Sequence, residues 1–288
     1  MPLAIVFTLR PAMPASVAGN LSRAAHAAIL RLIGAADPNL AARIHDEEGR
    51  KPLTVSNIWG LGNGAVAAVD PARDYHLRVT LLSDDLERIA ADWTPEAIGA
   101  LDLDGLPWRV TDRATTAAGH PWAGQASYEQ LAESLLSRPA QLPATWTIQF
   151  ASPTTFRQRG MAMPLPLPDL VFGSICEQWN ASANFALPEE VRRYAAECLA
   201  ISRYELRSVA SPTSGGAIQI GAIGHCTYRA MNHDRYWRAC VDTLASFAFY
   251  SGIGAGTTRG FGQARLLSAN GKARNEPQKT DDGNAIRD

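Results

Sequence analysis

The sequence predicts an α+β protein of two tandem ferredoxin-like (RRM-like) βαββαβ domains. Two observations predict it. Each half of the 288-residue chain runs strand, helix, strand, strand, helix, strand. Between the halves, over 138–144, the apolar periodicity stops at the proline-bearing stretch RPAQLPA. One domain is therefore expected over residues 1–140 and a second over 141–268. From 269 to 288 the composition is polar and charged without a period, which predicts a disordered tail.

The first half opens with PLAIVFTL, residues 2–9, a short strand bounded by prolines. Residues 16–34 carry helical spacing, with Val17, Leu21, Ala25, Ala28 and Leu32 on one stripe widened by Ile29 and Ile33. Turn residues follow, and the chain re-enters a strand at PLTVSNI. YHLRVTLL, residues 75–82, is the next strand. Ser83 caps a helix over SDDLERIAADW, whose acids sit where the helix dipole favours them. LPWRVTD, residues 106–112, closes the unit as a strand.

The second half repeats the plan. TWTIQFA at 145–151 is a strand, and the proline-dotted MPLPLPD leads into a helix over 169–180. Residues 201–210 and 217–230 form two strands joined by a turn at SPTSGG. Residues 234–250, DRYWRACVDTLASFAFY, form a helix with Leu244, Phe247 and Ala248 on its apolar face. A glycine-rich loop follows, then a last strand, GQARLL.

Composition narrows the function. No run of about 18 apolar residues occurs, so no membrane span is expected. The N-terminus lacks the pattern of a secretory signal, which predicts a cytoplasmic protein. The four cysteines form no CxxC pair, so neither a zinc site nor a disulfide framework is expected. Net charge is −1, so any nucleic-acid contact must come from local basic patches.

The loop SGIGAGTTRGFGQARLL holds Gly252, Gly254, Gly256, Gly260 and Gly262 around Arg259. It is not a dinucleotide fingerprint. From Gly252 the third glycine would fall at Thr257, and from Gly254 at Arg259. A helix precedes the loop and a strand follows it, the reverse of that motif, and no lysine completes a P-loop. The preceding helix C-terminus repels phosphate. An anion here would need loop N–H groups, the Thr257 or Thr258 hydroxyl, and Arg259.

The stretch GIGAGTTRGFGQARL resembles the glycine-rich signature of the CRISPR-associated repeat-processing endoribonucleases, members of the RAMP superfamily of RNA-binding proteins. Three further stretches are similar to that family in the right order. They are IHDEEGRKPLTVS at 44–56, FASPTTFRQRG at 150–160 and GGAIQIGAIGHCTYRA at 215–230. The resemblance implies tandem ferredoxin-like domains and cleavage of CRISPR repeat RNA (pre-crRNA) to guide RNAs. It implies no cofactor and no metal.

Metal-free RNA cleavage requires removal of a proton from a 2′-hydroxyl, donation of one to the leaving 5′-oxygen, and stabilisation of charge at phosphorus. A histidine exchanges protons near neutrality, and an ammonium stabilises the charge. His45 and Lys51 lie six residues apart across the Gly49 turn. Taken alone, His45 reads as a solvated loop residue, but the resemblance places it and Lys51 at the family's catalytic positions. Some members use a first-helix tyrosine as third partner. None occurs here before Tyr75, so that role is either empty or filled by another residue, with Arg23 and Arg31 as candidates. Other relatives carry their catalytic histidine in the first helix, so His26 is a rival to His45.

RNA contacts are expected from Arg157, Arg159 and Arg259, from Thr257 and Thr258, and from the five loop glycines, with Arg192 and Arg193 as a second cluster. The expected partners are CRISPR repeat RNA or crRNA and other CRISPR-associated subunits, with the chain a monomer or homodimer. Two other readings are a non-catalytic RNA-binding subunit of a surveillance complex and a small-molecule enzyme using the loop for a nucleotide.

Overall fold

The computed structural model describes residues 1–62, 64–137, 141–212 and 218–268. The expected tail, most of the SPTSGG turn and the start of the interdomain break lie outside the described residues. The first half contains β1 (Leu3–Pro11), β2 (Ala15–Ala18), α1 (Ser22–Ala36), α2 (Pro38–Asp46), β3 (Leu53–Val55), β4 (Val66–Val69) and β5 (Tyr75–Leu81). It continues with α3 (Asp84–Ala90), α4 (Pro95–Ile98), β6 (Ala100–Leu103), β7 (Leu106–Ala114), β8 (Gly124–Gln125), α5 (Tyr128–Leu131) and α6 (Glu133–Leu136). The second half contains β9 (Thr145–Thr154), β10 (Phe156–Gln158), β11 (Met161–Met163), α7 (Pro168–Ser182), α8 (Val191–Cys198), β12 (Leu199–Pro212), β13 (Ile218–Ala230), α9 (Arg235–Ser251) and β14 (Ala264–Leu267).

The first sheet is antiparallel in the order β3-β5-β1-β7-β6, and the second in the order β12-β13-β9-β14. With β6 as an added edge strand, both follow the ferredoxin-like interleaving, in which each crossover helix links strands separated by one neighbour. On one face of the first sheet, Ile5, Phe7, Leu77 and Val79 pack with Ala25, Ile29 and Ile33 of α1. The opposite face is buried too. Ala4, Val6 and Leu82 share a core with Phe249 and Tyr250 of α9 and with Ile148 and Phe150 of the second sheet. Thus α9 lies between the two sheets and joins the domains through apolar burial.

Two local differences from the sequence reading matter. Residues 15–18 are not the start of a helix. They form β2, paired with β4 through Val17 and Ala67, and α1 begins at Ser22. The segment before His45 is not a loop but α2. Asp37 caps it by accepting from the Leu40 N–H, and Pro38 occupies the first turn, where its missing N–H costs nothing. At the start of α9, Asp234 is the cap and accepts from the N–H groups of Tyr236 and Trp237.

Candidate active site

Between the domains lies a cleft of about 940 Å³. Its first wall comes from α1 and from the end of α2 with the turn beyond it. This wall carries Arg23, His26, His45, Arg50 and Lys51. The facing wall carries Arg157, Ser174, Glu177, Gln178, Arg192 and the loop from Gly254 to Arg259. Cations outnumber the two acids, Glu48 and Glu177, so the cleft is built for a polyanion.

His45 stands exposed on the last turn of α2. The Lys51 ammonium folds back to this helix end and donates to the carbonyls of Ile44 and of His45, the latter at 3.0 Å. These carbonyls have no partner inside the helix, and a cation there complements the helix dipole. Two of the three ammonium N–H groups are so engaged, and the third is available to a ligand. His26 sits lower in the cleft, largely buried, with Nδ1 unpartnered. Burial, then Lys51, Arg259 and His45, push its imidazole down to about 4, so it is neutral near pH 7.

The glycine loop needs its glycines for shape. Gly254 has φ 84°, and a Cβ there would lie 2.3 Å from the Thr155 carbonyl oxygen. Gly260 has φ 83° and donates its N–H to the Val55 carbonyl of β3 at 2.9 Å, so the loop extends the edge of the first sheet. The N–H groups of Gly256, Thr257 and Thr258 make none of the loop's backbone hydrogen bonds. They lie at the cleft beside the Arg259 side chain. The end of α9, which would repel an anion, is capped from the other domain. The buried Arg78 donates to the Phe249 carbonyl at 2.5 Å and Thr80 to that of Tyr250 at 2.6 Å.

The structure therefore gathers His26, His45, Lys51, Arg157, Gly254, Gly256, Thr257, Thr258 and Arg259 at one cleft. Gly252, Gly260 and Gly262 support the loop from behind. Arg159 lies in the β10–β11 turn with φ 51°, outside the cleft lining, as does Arg193. Of the two candidate third partners, Arg23 lines the cleft. Arg31 donates to the Asp102 carbonyl elsewhere. Arg50, Ser174, Glu177, Gln178 and Arg78 were not singled out from the sequence. Among the described residues no three His, Cys, Asp or Glu side chains converge to hold a metal ion, and no helix is long and apolar enough to cross a membrane.

Comparison with known proteins adds three findings. Residues 148–264 match the family model described as CRISPR-associated endoribonuclease Cas6, and residues 1–133 match its N-terminal domain. A Cas6 product complex is 28% identical over 93% of this chain and 100% of that one, with TM-score 0.77. Thermus thermophilus Cas6 is 28% identical over 93% of this chain and 98% of that one, with TM-score 0.69. A RAMP protein described as binding different RNA substrates shares the fold at 14% identity, covering 92% of this chain and 100% of that one, with TM-score 0.57. No curated protein sequence matches significantly.

Proposed function

The chain belongs to the Cas6 family of CRISPR-associated endoribonucleases, and on that premise we propose that it cuts CRISPR repeat RNA without a metal, at the cleft holding His26, His45 and Lys51. The observation that carries this reading is the convergence of two imidazoles, an ammonium and a loop with spare N–H groups on a single cationic cleft.

Each group has a task its surroundings fit. His26, neutral near pH 7, accepts the proton of the attacking 2′-hydroxyl. His45, open to solvent, gives a proton to the departing 5′-oxygen and regains one from water. The free N–H of Lys51 and the amides of Gly256, Thr257 and Thr258 stabilise the charge that builds on the phosphoryl oxygens. Arg259 and Arg157 hold flanking phosphates. One P–O bond forms to the 2′-oxygen and one breaks to the 5′-oxygen, so the products carry a 2′,3′-cyclic phosphate and a 5′-hydroxyl.

Incubation of the full chain with host repeat RNA in EDTA, followed by mapping of product ends, tests this. Cleavage with those ends is expected. Loss of cleavage on chelation, or 3′-hydroxyl ends, would refute the mechanism. Binding without any cleavage would assign the chain to RNA holding alone.

A further inference from the structure

We propose that one face of α7, formed by Ser174, Glu177 and Gln178, is a positioning element that registers Lys51 and His45 against the glycine loop. The inference rests on the reading of the cleft as an RNA-cleaving site. These three residues stand at i, i+3 and i+4, so they share one side of the helix. That side grips both walls of the cleft.

On one wall, the Ser174 hydroxyl accepts from the Gly254 N–H at 3.1 Å and donates to the Val171 carbonyl at 3.0 Å, which fixes its direction. Glu177 accepts from Arg50 Nη2 at 2.6 Å, and Arg50 Nη1 donates to the Gly254 carbonyl at 3.1 Å. The Gly254 backbone is thus held through its N–H and its carbonyl from the same helix face.

On the other wall, Gln178 Nε2 donates to the Lys51 carbonyl at 3.1 Å and to the Ser182 hydroxyl at 3.0 Å. Lys51 in turn binds the last carbonyls of α2, the helix that carries His45. The hold of Gln178 therefore passes through Lys51 to His45.

None of the three suits a role as an RNA ligand. Ser174 and Gln178 are 8% and 4% exposed, and both are engaged inside the protein. A carboxylate repels phosphate, and the place of Glu177 in a cationic cleft is explained by its grip on Arg50. A reacting geometry displaced by about 1 Å can cost on the order of 10²-fold in rate, which gives a two-sided clamp a catalytic purpose.

The test measures single-turnover cleavage by the full chain at saturating enzyme, and affinity for repeat RNA with a 2′-deoxy residue at the cut site. For Gln178→Leu the expected result is a rate loss of roughly tenfold with deoxy-RNA affinity within about twofold of wild type. In a Lys51→Ala background, Gln178→Leu should cost nothing further, because its effect runs through Lys51. Glu177→Gln, at an exposed position, should give the same pattern of slower cleavage without weaker binding, and serves if Gln178→Leu folds poorly. An equal rate loss in both Lys51 backgrounds would show a merely structural role, and weakened deoxy-RNA binding would show a ligand; either overturns the proposal. Variants cutting at the wild-type rate would overturn this inference alone. A wild-type chain that binds repeat RNA without cutting it would overturn this inference together with the functional reading.

Discussion

Arg78 Nη1, on the inner strand β5 of the first domain, donates to Gln263 Oε1 of the second at 2.6 Å, in a region sealed from solvent. The same guanidinium donates to the carbonyls of Trp122 and Phe249 and stacks on both rings, at 5.3 and 4.6 Å. Among the described residues no carboxylate pairs with it, so neutral oxygens and ring faces solvate the charge. Replacement by methionine leaves three buried oxygens short of a donor, each costing about 1–3 kcal/mol. Arg78→Met should lower the unfolding free energy by at least about 3 kcal/mol. A urea titration checks this, and a loss below about 1 kcal/mol would contradict it.

The loop glycines should not be equivalent. Gly254 and Gly256 both have positive φ, at 84° and 77°, so alanine at either carries a left-handed strain of about 1–2 kcal/mol. A Cβ at Gly256 meets its nearest atom, on Phe261, at 3.5 Å, whereas one at Gly254 collides with the Thr155 carbonyl oxygen. Gly254→Ala is expected to lower the melting temperature more and to abolish RNA retention. Gly256→Ala should show only the strain. Matched melting curves for the two would refute the packing argument.

His26 should leave a mark on acid stability. An imidazole in the unfolded chain gains its proton below about 6.5, while in the folded protein His26 does so only at about 4. Between those values the unfolded chain binds more protons, so stability falls as pH drops through that window. His120, also pushed down to about 4, chiefly by burial, adds to the same slope. Thermal melts from pH 7 to 4 should show the decline, and His26→Gln should flatten part of it. An unchanged slope in that variant would contradict the burial of His26.

The proposed chemistry separates rate from affinity. His45→Ala and His26→Ala should each slow single-turnover cleavage by about 10²–10⁴-fold, with far smaller changes in binding of 2′-deoxy repeat RNA. Full cleavage in either variant would remove that histidine from the mechanism.

Phosphate contacts should appear in the salt dependence. Each lost contact lowers the slope of log Kd against log salt by about 0.7–0.9. Arg259→Ala and Arg157→Ala should each do so, whereas Arg109→Ala, on the exposed side of β7 and away from the cleft, should not.

The strands and long helices were legible because alternation and helical spacing survive in them: β9, β13 and α9 fall where the pattern puts them. Where short segments gave only two or three apolar points, the reading failed. Val17 and Leu21 are four apart and mimic a helix, yet Val17 pairs across to Ala67 in a small ribbon. Asp37-Pro38 is equally a turn and a helix start, and in α2 only Leu40 and Ile44 are buried to tell them apart.

At the site, single side chains were legible and their partners were not. His45, Lys51 and Arg259 stand out through residue type and nearby glycines. Arg78 lies inside YHLRVTLL and looks like an ordinary strand residue, because nothing local reveals that α9 covers that face. Gln178 and Ser174 look like routine polar helix positions. Their meaning lies in contacts with Lys51 and Gly254, which come from distant parts of the chain and have no local signal.

The bond from Gly260 to Val55 covers the outer edge of the first sheet with a stretch of the second half. During synthesis the first half therefore leaves the ribosome with that edge bare and with Arg78 lacking its acceptors from the second half. Prematurely terminated chains should be sticky at that rim and prone to aggregate. The cleft is likewise absent until the second half has been made, because one of its walls comes from α7 and the glycine loop.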